Sequence, residues 1–311
     1  MCSMNNKPIG KIAVIASDLD GTLLLRQEYG EDFIGERTRQ QLIRAQQAGI
    51  SLILASGRAY PKMLPFAKQL KMDHYGGWLV EINGTAVYDV KHGKRTVFHQ
   101  LHRSAIHDLF TKLQAMEIEV IAYQDDSMYY QIPARLIPLK QAYIRTHGLP
   151  EDHPLTAGGF SIVYDNRKGY PHQYPIKDAS QLPETMNKIC ISDEPQRLHA
   201  LHPLLDVYQE QIWWGYTTER WIEILPKGVN KRTGIEYCCQ QMKTDLSHVL
   251  AFGDGENDIE MLKSCGFGIA MGNALDSVKR IAYDICDNNK NEGIADVIEH
   301  LLEPNGKEIF R

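Results

Sequence analysis

The chain has 311 residues, of which 43% are apolar and 23% charged, and its formal net charge is −5. These values are ordinary for a soluble globular protein and suggest about two domains. No polybasic run and no apolar stretch of about 20 residues is present, so nucleic acid and membrane are not the expected partners.

The first predicted element is a strand over 12–16, an unbroken apolar run typical of a buried strand in a parallel sheet. It ends abruptly before Asp18 and Asp20, and Gly21 follows. Burying charge costs several kcal/mol unless the charge is paired or metal-bound. Ligands of open α/β sheets also lie at the carboxyl ends of the strands. The two aspartates therefore indicate a functional site rather than a solvated Asp-Gly turn.

The next elements alternate between helix and strand. Residues 38–48 have the apolar spacing of a helix that stops at Gly49, and 50–55 form a second apolar run ending at Ser56-Gly57-Arg58. A helix is predicted over 59–70 and a strand over 78–82, which ends before Asn83. This βαβαβ order is typical of a parallel doubly wound sheet.

The sequence pattern changes between about 88 and 225. Its apolar residues alternate with polar ones, as in strands that are exposed on one face. The predicted elements are a helix over 104–116, a hairpin of 118–122 with 128–132, a long loop or insertion over 147–180, a helix over 197–208 and a strand over 221–225. We interpret 88–225 as an α+β module inserted into the first domain.

After residue 226 the α/β pattern returns. Helices are predicted over 233–242, 259–264, 275–282 and 294–302, and strands over 248–252, 267–271 and 283–286. Asp254, Asn257 and Asp258 follow the first of these strands, and Asn273 follows the second. The predicted core domain is thus 1–87 together with 226–311.

The polar side chains after these strands predict a metal and phosphate site. The carboxyl ends of parallel strands share one edge of a sheet, so at least three carboxylates should lie close together. Like charges crowd only when a cation neutralises them, and an all-oxygen, carboxylate-rich set suits Mg²⁺. With a serine hydroxyl, amides beside glycines and a lysine, it describes a phosphate site. One carboxylate can act as nucleophile and the other as general acid and base.

Four motifs occur in order along the chain: DLDGT at 18–22, SGR at 56–58, GVNK at 228–231 and GDGENDIEML at 253–262. Together they closely resemble the four motifs of the haloacid dehalogenase-like phosphatases, specifically the Cof-like subgroup. Those proteins carry an α/β cap between the second and third motifs, which 88–225 matches in position and size. The resemblance implies a Rossmann-like α/β core with an inserted α+β cap.

The resemblance also implies a role for each matching residue. Asp18 would be the nucleophile, and Asp20 would protonate the leaving alcohol and then activate water. Ser56 and Lys231 would complete the catalytic set by binding phosphoryl oxygens. The implied phosphate-binding residues are Gly21, Thr22, Gly57, Asn83 and Asn257. The implied Mg²⁺ site comprises Asp18, the main-chain carbonyl of Asp20, Asp254 and Asp258.

Several alternatives stay open at this point. Lys227 competes with Lys231, although Lys231 is the lysine that follows Gly-Val-Asn, and Arg58 is either a phosphate contact or an exposed side chain. A phosphomutase or phosphotransferase would use the same core. A receiver-type signalling domain would need neither the acid role of Asp20 nor a large cap, and a dinucleotide-binding protein would need a G-x-G-x-x-G sequence that is absent after the first strand.

The compartment and the substrate are constrained to different degrees. The six cysteines show no Cys-x-x-Cys or Cys/His spacing and indicate reduced thiols in a cytoplasmic protein. We expect a small phosphorylated metabolite as substrate and Mg²⁺ as cofactor. The sequence leaves open which metabolite it is and what the oligomeric state is.

Overall fold

The structure, a computed structural model, describes residues 12–25, 32–125, 127–148 and 172–303. They form two compact units, one reaching Val97 and resuming at Asn230, the other spanning Phe98–Val229. Much of the predicted insertion at 147–180 lies outside the described residues. No helix in the described part of the chain is both long enough and apolar enough to cross a bilayer.

The secondary-structure elements are numbered here in chain order. The strands are β1 (Val14–Ser17), β2 (Leu24–Leu25), β3 (Phe33–Ile34), β4 (Ser51–Ala55), β5 (Gly77–Glu81), β6 (Ala86–Asp89), β7 (Lys94–Val97), β8 (Leu101–His102), β9 (Glu119–Gln124), β10 (Ser127–Gln131), β11 (His172–Pro175), β12 (Thr185–Met186), β13 (Lys188–Ser192), β14 (Ile212–Thr218), β15 (Trp221–Pro226), β16 (Val249–Gly253), β17 (Phe267–Ala270) and β18 (Asp284–Ile285). The α-helices are α1 (Glu36–Gln47), α2 (Tyr60–Gln69), α3 (Met72–Tyr75), α4 (Arg103–Ala115), α5 (Ile137–Thr146), α6 (Pro195–His199), α7 (His202–Asp206), α8 (Lys231–Gln241), α9 (Ile259–Ser264), α10 (Asp276–Lys279) and α11 (Gly293–Leu302).

An eight-stranded sheet in the order β18-β17-β16-β1-β4-β5-β6-β7 organises the first unit. The strands from β18 to β5 run parallel, and β1 lies between β16 and β4. Side chains of β1, β16 and most of β4 are buried, as expected for strands with helices on both faces of the sheet. This arrangement confirms the predicted doubly wound core, with its site edge at the carboxyl ends of β1 and its neighbours.

The sheet continues beyond the predicted end of the core segment. Strands β6 and β7 add to its edge as an antiparallel hairpin, so residues 88–97, expected in the inserted module, pair with the core instead. Every side chain of β7 is exposed or half-buried, as expected for a strand at the edge of a sheet. The second boundary likewise lies at Val229, a few residues beyond the expected position.

A six-stranded sheet, β11-β10-β9-β13-β15-β14, organises the second unit. The predicted hairpin is confirmed as β9 with β10, and the predicted helix over 104–116 is α4. The apolar face of α4, including Ile106 and Phe110, packs into the core of this unit. The helix predicted over 197–208 is instead the two short helices α6 and α7. Pro203 lies in the first turn of α7. Because proline has no N–H group with which to continue the hydrogen bonding of a preceding helix, α6 and α7 are separate.

Candidate active site

Three aspartates converge where β1 and β16 end. The two strands are parallel neighbours with Ser17 level with Phe252, so Asp18 and Asp254 leave the sheet at the same edge. Carboxylate oxygens of Asp18, Asp254 and Asp258 all lie within 4.8 Å of one another. The sequence analysis expected at least three carboxylates to lie close together because the carboxyl ends of parallel strands share one edge, and the structure brings these three together.

Lys231 supplies the positive charge at the centre of this cluster. Its Nζ donates to Asp18 Oδ1 at 2.5 Å and to Asp258 Oδ1 at 2.7 Å, and its side chain is fully buried. Lys231 is the first residue of α8, whose N-terminus is capped by the Asn230 side chain in a capping box with Thr233. Lys227 lies in the other unit, where it pairs with Glu210.

Burial and neighbouring charges shift the pKa values of this cluster, in which three carboxylates accompany one ammonium. Burial raises the pKa of Asp18 well above its usual value; Lys231 opposes the rise, and the neighbouring aspartates add to it. Burial also raises the pKa of Asp254 to about 6. Burial disfavours the charge on Lys231, but Asp18 and Asp258 outweigh that effect and raise the pKa of the ammonium.

The loop after β1 is fitted closely around Asp254. Thr22 Oγ1 donates to Asp254 Oδ1 at 2.8 Å, a role that sequence reasoning did not assign to this residue. Gly21 has φ +83°, and a Cβ at this position would lie 2.3 Å from Asp254 Oδ2, so only glycine fits here. Asn273 Nδ2 donates to the Gly21 carbonyl at 2.7 Å and holds this loop from the end of β17.

Asp258 holds the loop on the opposite side of the cluster. Its Oδ2 accepts the backbone N–H groups of Asp254 and Gly255, each at 3.0 Å, while its Oδ1 accepts from Lys231. The carboxylate is buried, so these bonds satisfy a group that would otherwise be costly to desolvate. Asp258 therefore fixes both Lys231 and the backbone beside Asp254.

The ends of β4 and β5 bring the predicted phosphate-binding residues together. Ser56 is buried, and its Oγ accepts the Arg58 N–H at 3.1 Å. A Cβ on Gly57 would lie 3.3 Å from Asn83 Nδ2, so the two loops are in close contact. Asn83 Oδ1 accepts from Asn257 Nδ2 at 3.1 Å, which connects these loops to the one after β16.

Asp20 lies apart from the buried carboxylates, and its side chain is 47% exposed. Arg58 binds it with two nitrogens: Nε donates to Oδ2 at 2.9 Å, and Nη2 donates to Oδ1. Arg58 Nη2 also donates to Asp32 Oδ2 at 2.6 Å. Sequence reasoning left Arg58 as a phosphate contact or an exposed side chain and did not foresee this pairing. No local spacing connects residues 20, 32 and 58, so the sequence contains no signal for it.

The donor set fits a hard divalent cation. Asp18 and Asp254 present carboxylate oxygens on one edge, and neither histidine nor thiol belongs to the described cluster. Oxygen-only ligands and high local negative charge favour Mg²⁺ over softer metals. Lys231 neutralises only part of the charge, so the carboxylate oxygens of Asp18 and Asp254 are suited to a divalent cation as a second source of positive charge.

Comparisons with known proteins identify relatives of this chain. The sequence profile described as haloacid dehalogenase-like hydrolase matches residues 15–298. Pyridoxal phosphate phosphatase YbhA of Escherichia coli K12 is 29% identical over 294 residues, covering 93% of this chain and 98% of that protein. The 5-amino-6-(5-phospho-D-ribitylamino)uracil phosphatase YbjI of the same strain is 28% identical, covering 94% and 97%. A haloacid dehalogenase-like hydrolase from Bacteroides thetaiotaomicron superposes with a TM-score of 0.73 and 25% identity, over 94% of this chain and all of that one.

The raised pKa values predict how stability depends on pH and Mg²⁺. Between its ordinary value of 3.8 and the raised value of about 6, Asp254 binds more proton in the folded than in the unfolded chain. In chelator, its contribution to stability therefore falls as pH rises through that window. Mg²⁺ binds the ionised carboxylates, so we expect it to raise the denaturation midpoint more at pH 7 than at pH 5.

Asp254→Asn is the matched control, because it keeps the size of the side chain and removes its titration. We expect this variant to lose most of the Mg²⁺ effect, and we expect the stability difference from the wild type to change with pH. Denaturant titrations at both pH values, with and without Mg²⁺, measure this. Equal Mg²⁺ effects at the two pH values would contradict the assignment of Asp254 to a cation site.

Proposed function

Because this chain belongs to the haloacid dehalogenase-like hydrolases, we propose that it is a Mg²⁺-dependent phosphatase of a small phosphorylated metabolite, acting through an aspartyl-phosphate intermediate. The observation that carries this proposal is the buried Asp18 at the end of β1, within hydrogen-bond distance of Lys231 and beside two further aspartates. Two relatives are named as phosphatases of small phosphorylated compounds, which supports the same substrate class.

Asp18 is the proposed nucleophile. Its Oδ1 accepts from Lys231, so Lys231 holds the carboxylate in place and can also neutralise an incoming phosphoryl oxygen. The second oxygen of Asp18 would attack phosphorus and displace the alcohol. Since strand β1 is buried and paired on both sides, the nucleophile is carried on a rigid element, which favours precise positioning.

The proposed Mg²⁺ ligands are Asp18, Asp254 and the main-chain carbonyl of Asp20, with Asp258 supporting them. When bound, Mg²⁺ would offset the negative charge shared by the phosphoryl group and the carboxylates. Thr22 orients Asp254, and Asp258 holds the backbone beside it. These two contacts determine where the ligand oxygens lie.

The phosphoryl oxygens are assigned to groups on three loops. Ser56 and Lys231 would bind them directly, and Asn83 and Asn257 form a connected amide pair at the same edge. The backbone N–H groups of Gly21 and Gly57 would supply further donors, and that of Thr22 would have to exchange its 3.3 Å hydrogen bond to the Leu19 carbonyl for one to the phosphoryl group. Backbone amides at strand ends are suited to anions because they carry partial positive charge without a side chain to move.

Asp20 is the proposed general acid and base. Its carboxylate is exposed, unlike that of Asp18, and among the described residues Arg58 is its side-chain partner, so it can exchange protons with solvent or substrate. Arg58 and Asp32 define where Asp20 rests. We assign the choice of leaving alcohol to the second unit, Phe98–Val229, which corresponds to the inserted cap of the family.

A phosphate-release assay tests the proposed activity. Purified protein should hydrolyse p-nitrophenyl phosphate with Mg²⁺, lose the activity in excess chelator and regain it when Mg²⁺ is added back. A panel of sugar phosphates, nucleotides, FMN and pyridoxal phosphate then identifies the favoured substrate. Release of inorganic phosphate supports hydrolysis, whereas transfer to a second metabolite would identify a phosphomutase or phosphotransferase. Full turnover in chelator would contradict the Mg²⁺ requirement.

Asp20→Asn tests the proton-transfer role. General acid help is typically worth about 10²–10⁴-fold in rate, and it matters most for poor leaving groups. We therefore expect formation of the phosphoenzyme to slow far more with an alkyl phosphate than with p-nitrophenyl phosphate. Hydrolysis of the phosphoenzyme should slow with both, so p-nitrophenyl phosphate should give a burst of nitrophenolate. Rapid-quench kinetics on both esters measure the two steps separately.

The control separates proton transfer from the anchoring of Arg58. Asp32→Asn removes the other carboxylate partner of Arg58 and leaves Asp20 in place. We expect this variant to slow both esters by a similar and smaller factor. If Asp20→Asn also slowed phosphoenzyme formation equally for the two esters, Asp20 would serve only to hold Arg58 or, through its backbone, the cation.

A further inference from the structure

A buried ion pair lies behind the phosphate-binding loops and has no part in the chemistry proposed above. Glu81 is the last residue of β5, and its side chain has no exposed surface. Arg95 on β7 donates from Nε to Glu81 Oε1 at 2.5 Å. A carboxylate this deeply buried needs a partner, and Arg95 comes from the hairpin strand at the edge of the sheet.

The other oxygen of Glu81 holds the start of α2. Oε2 accepts the backbone N–H of Tyr60 at 2.9 Å. The N-cap residue Ala59 has no side chain able to cap this helix, so Glu81 satisfies one of its unpaired N–H groups from another strand. Its negative charge is also favourable at a helix N-terminus. The loop from Ser56 to Ala59 is thus fixed at its far end by Glu81.

The backbone connects this loop directly to the one that follows Glu81. Asn83 N–H donates to the Ser56 carbonyl at 2.9 Å, and Ile82 N–H donates to the Arg58 carbonyl at 3.1 Å. The loops carrying Ser56 and Asn83 therefore form one hydrogen-bonded unit. A shift in one loop must move the other.

The second loop has a costly conformation. Ile82 and Asn83 have φ of +50° and +52°, in the left-handed region that a β-branched residue rarely adopts. Such conformations persist only when the surrounding structure fixes them. Gly84 has φ +101°, and a Cβ there would lie 2.1 Å from the Asn230 carbonyl oxygen, so the loop also abuts the residue that caps the Lys231 helix. The loop of residues 82–84 is therefore in contact with three motif segments, those that contain Ser56, Asn230 and Asn257.

We propose that Glu81 and Arg95 are positioning residues, which hold the Ser56 and Asn83 loops at the spacing that binds a phosphoryl group. The binding of phosphate rests on the proposed function; the coupling of the two loops does not. Arg95 also packs over the Tyr60 ring, at 5.6 Å from the centroid, and Tyr60 stacks on Tyr88 of β6. The edge hairpin β6–β7 therefore contacts the first residue of α2 through the Arg95 guanidinium and through the Tyr88 ring.

Arg95→Gln tests this proposal, with Lys94→Gln as the matched control. Both variants remove one positive charge from β7, but Lys94 is exposed on that strand. Arg95→Lys restores the charge without the guanidinium geometry and should recover part of the loss. We expect Arg95→Gln to raise the dissociation constant for inorganic phosphate about tenfold or more. Mg²⁺ affinity should stay near the wild-type value, because its proposed ligands lie on other loops.

Amide hydrogen exchange on the ligand-free protein reports the coupling directly. In Arg95→Gln, we expect faster exchange in both 56–60 and 82–85, with 14–17 of β1 unchanged. Lys94→Gln should leave all three segments unchanged. If Arg95→Gln fails to fold, Glu81→Gln replaces it, since it leaves no unpaired carboxylate in the interior and its amide oxygen can still accept from the Tyr60 N–H, while the ion pair with Arg95 is lost. The same changes are expected there at smaller size.

Two results would overturn the positioning role. One is unchanged exchange and phosphate affinity in the folded variant. The other is an equal loss of phosphate and Mg²⁺ affinity, which would indicate general destabilisation. If the wild-type protein binds no phosphate, the proposed function fails, and the exchange pattern alone then decides whether Glu81 and Arg95 couple the two loops.

Discussion

The electrostatic feature on which the site depends is a group of three carboxylates, two of them buried, that lie within 4.8 Å of one another beside a single ammonium. Asp18, Asp254 and Asp258 cannot all be ionised at this spacing without compensation, and Lys231 supplies only part of it. The remaining negative charge makes the cluster suited to a divalent cation, and burial, with a smaller effect of the neighbouring aspartates, raises the pKa of Asp18 and Asp254. A site that binds a cation and an anionic phosphoryl group together is the simplest use of such an arrangement.

Most of the surrounding structure serves to hold those groups in place. Parallel pairing of β1 with β16 sets the distance between Asp18 and Asp254, and the capped start of α8 presents Lys231 to them. Around this centre, each strand-end loop is tied to another one by hydrogen bonds. The Ser56 loop binds the Asn83 loop through the backbone, and Asn83 binds Asn257 through its side chain. Catalysis by preorganised charge requires this kind of rigidity, since groups that had to reorganise during the reaction would stabilise the transition state less.

Sequence reasoning reached the core because its signals are local. The central parallel strands β1, β4 and β16 are short, largely apolar runs followed by polar residues, and the edge shared by such strands follows from their direction. It did not reach pairs such as Arg58 with Asp20 or Arg95 with Glu81, because no periodicity connects distant residues. It also placed β7 in the wrong unit, because the sequence KRTV has one apolar residue and therefore no pattern that shows which sheet the strand joins. Within the second unit, α5, β13 and β14 had no prediction. The buried residues of α5 are only Lys140 and Ile144, so this helix has little of the apolar periodicity from which a helix is predicted.

In the proposed reaction Asp18 becomes phosphorylated during turnover, and chemical trapping of the aspartyl phosphate tests this step directly. Protein mixed with p-nitrophenyl phosphate and Mg²⁺ is acid-quenched and reduced with borohydride, which converts an aspartyl phosphate to homoserine. Peptide mass spectrometry then locates the product. We expect homoserine at position 18 alone and only when substrate is present. The Asp18→Asn variant should remain folded, lose turnover and give no homoserine. Substrate turnover with no trapped residue, or with the modification at another carboxylate, would contradict it.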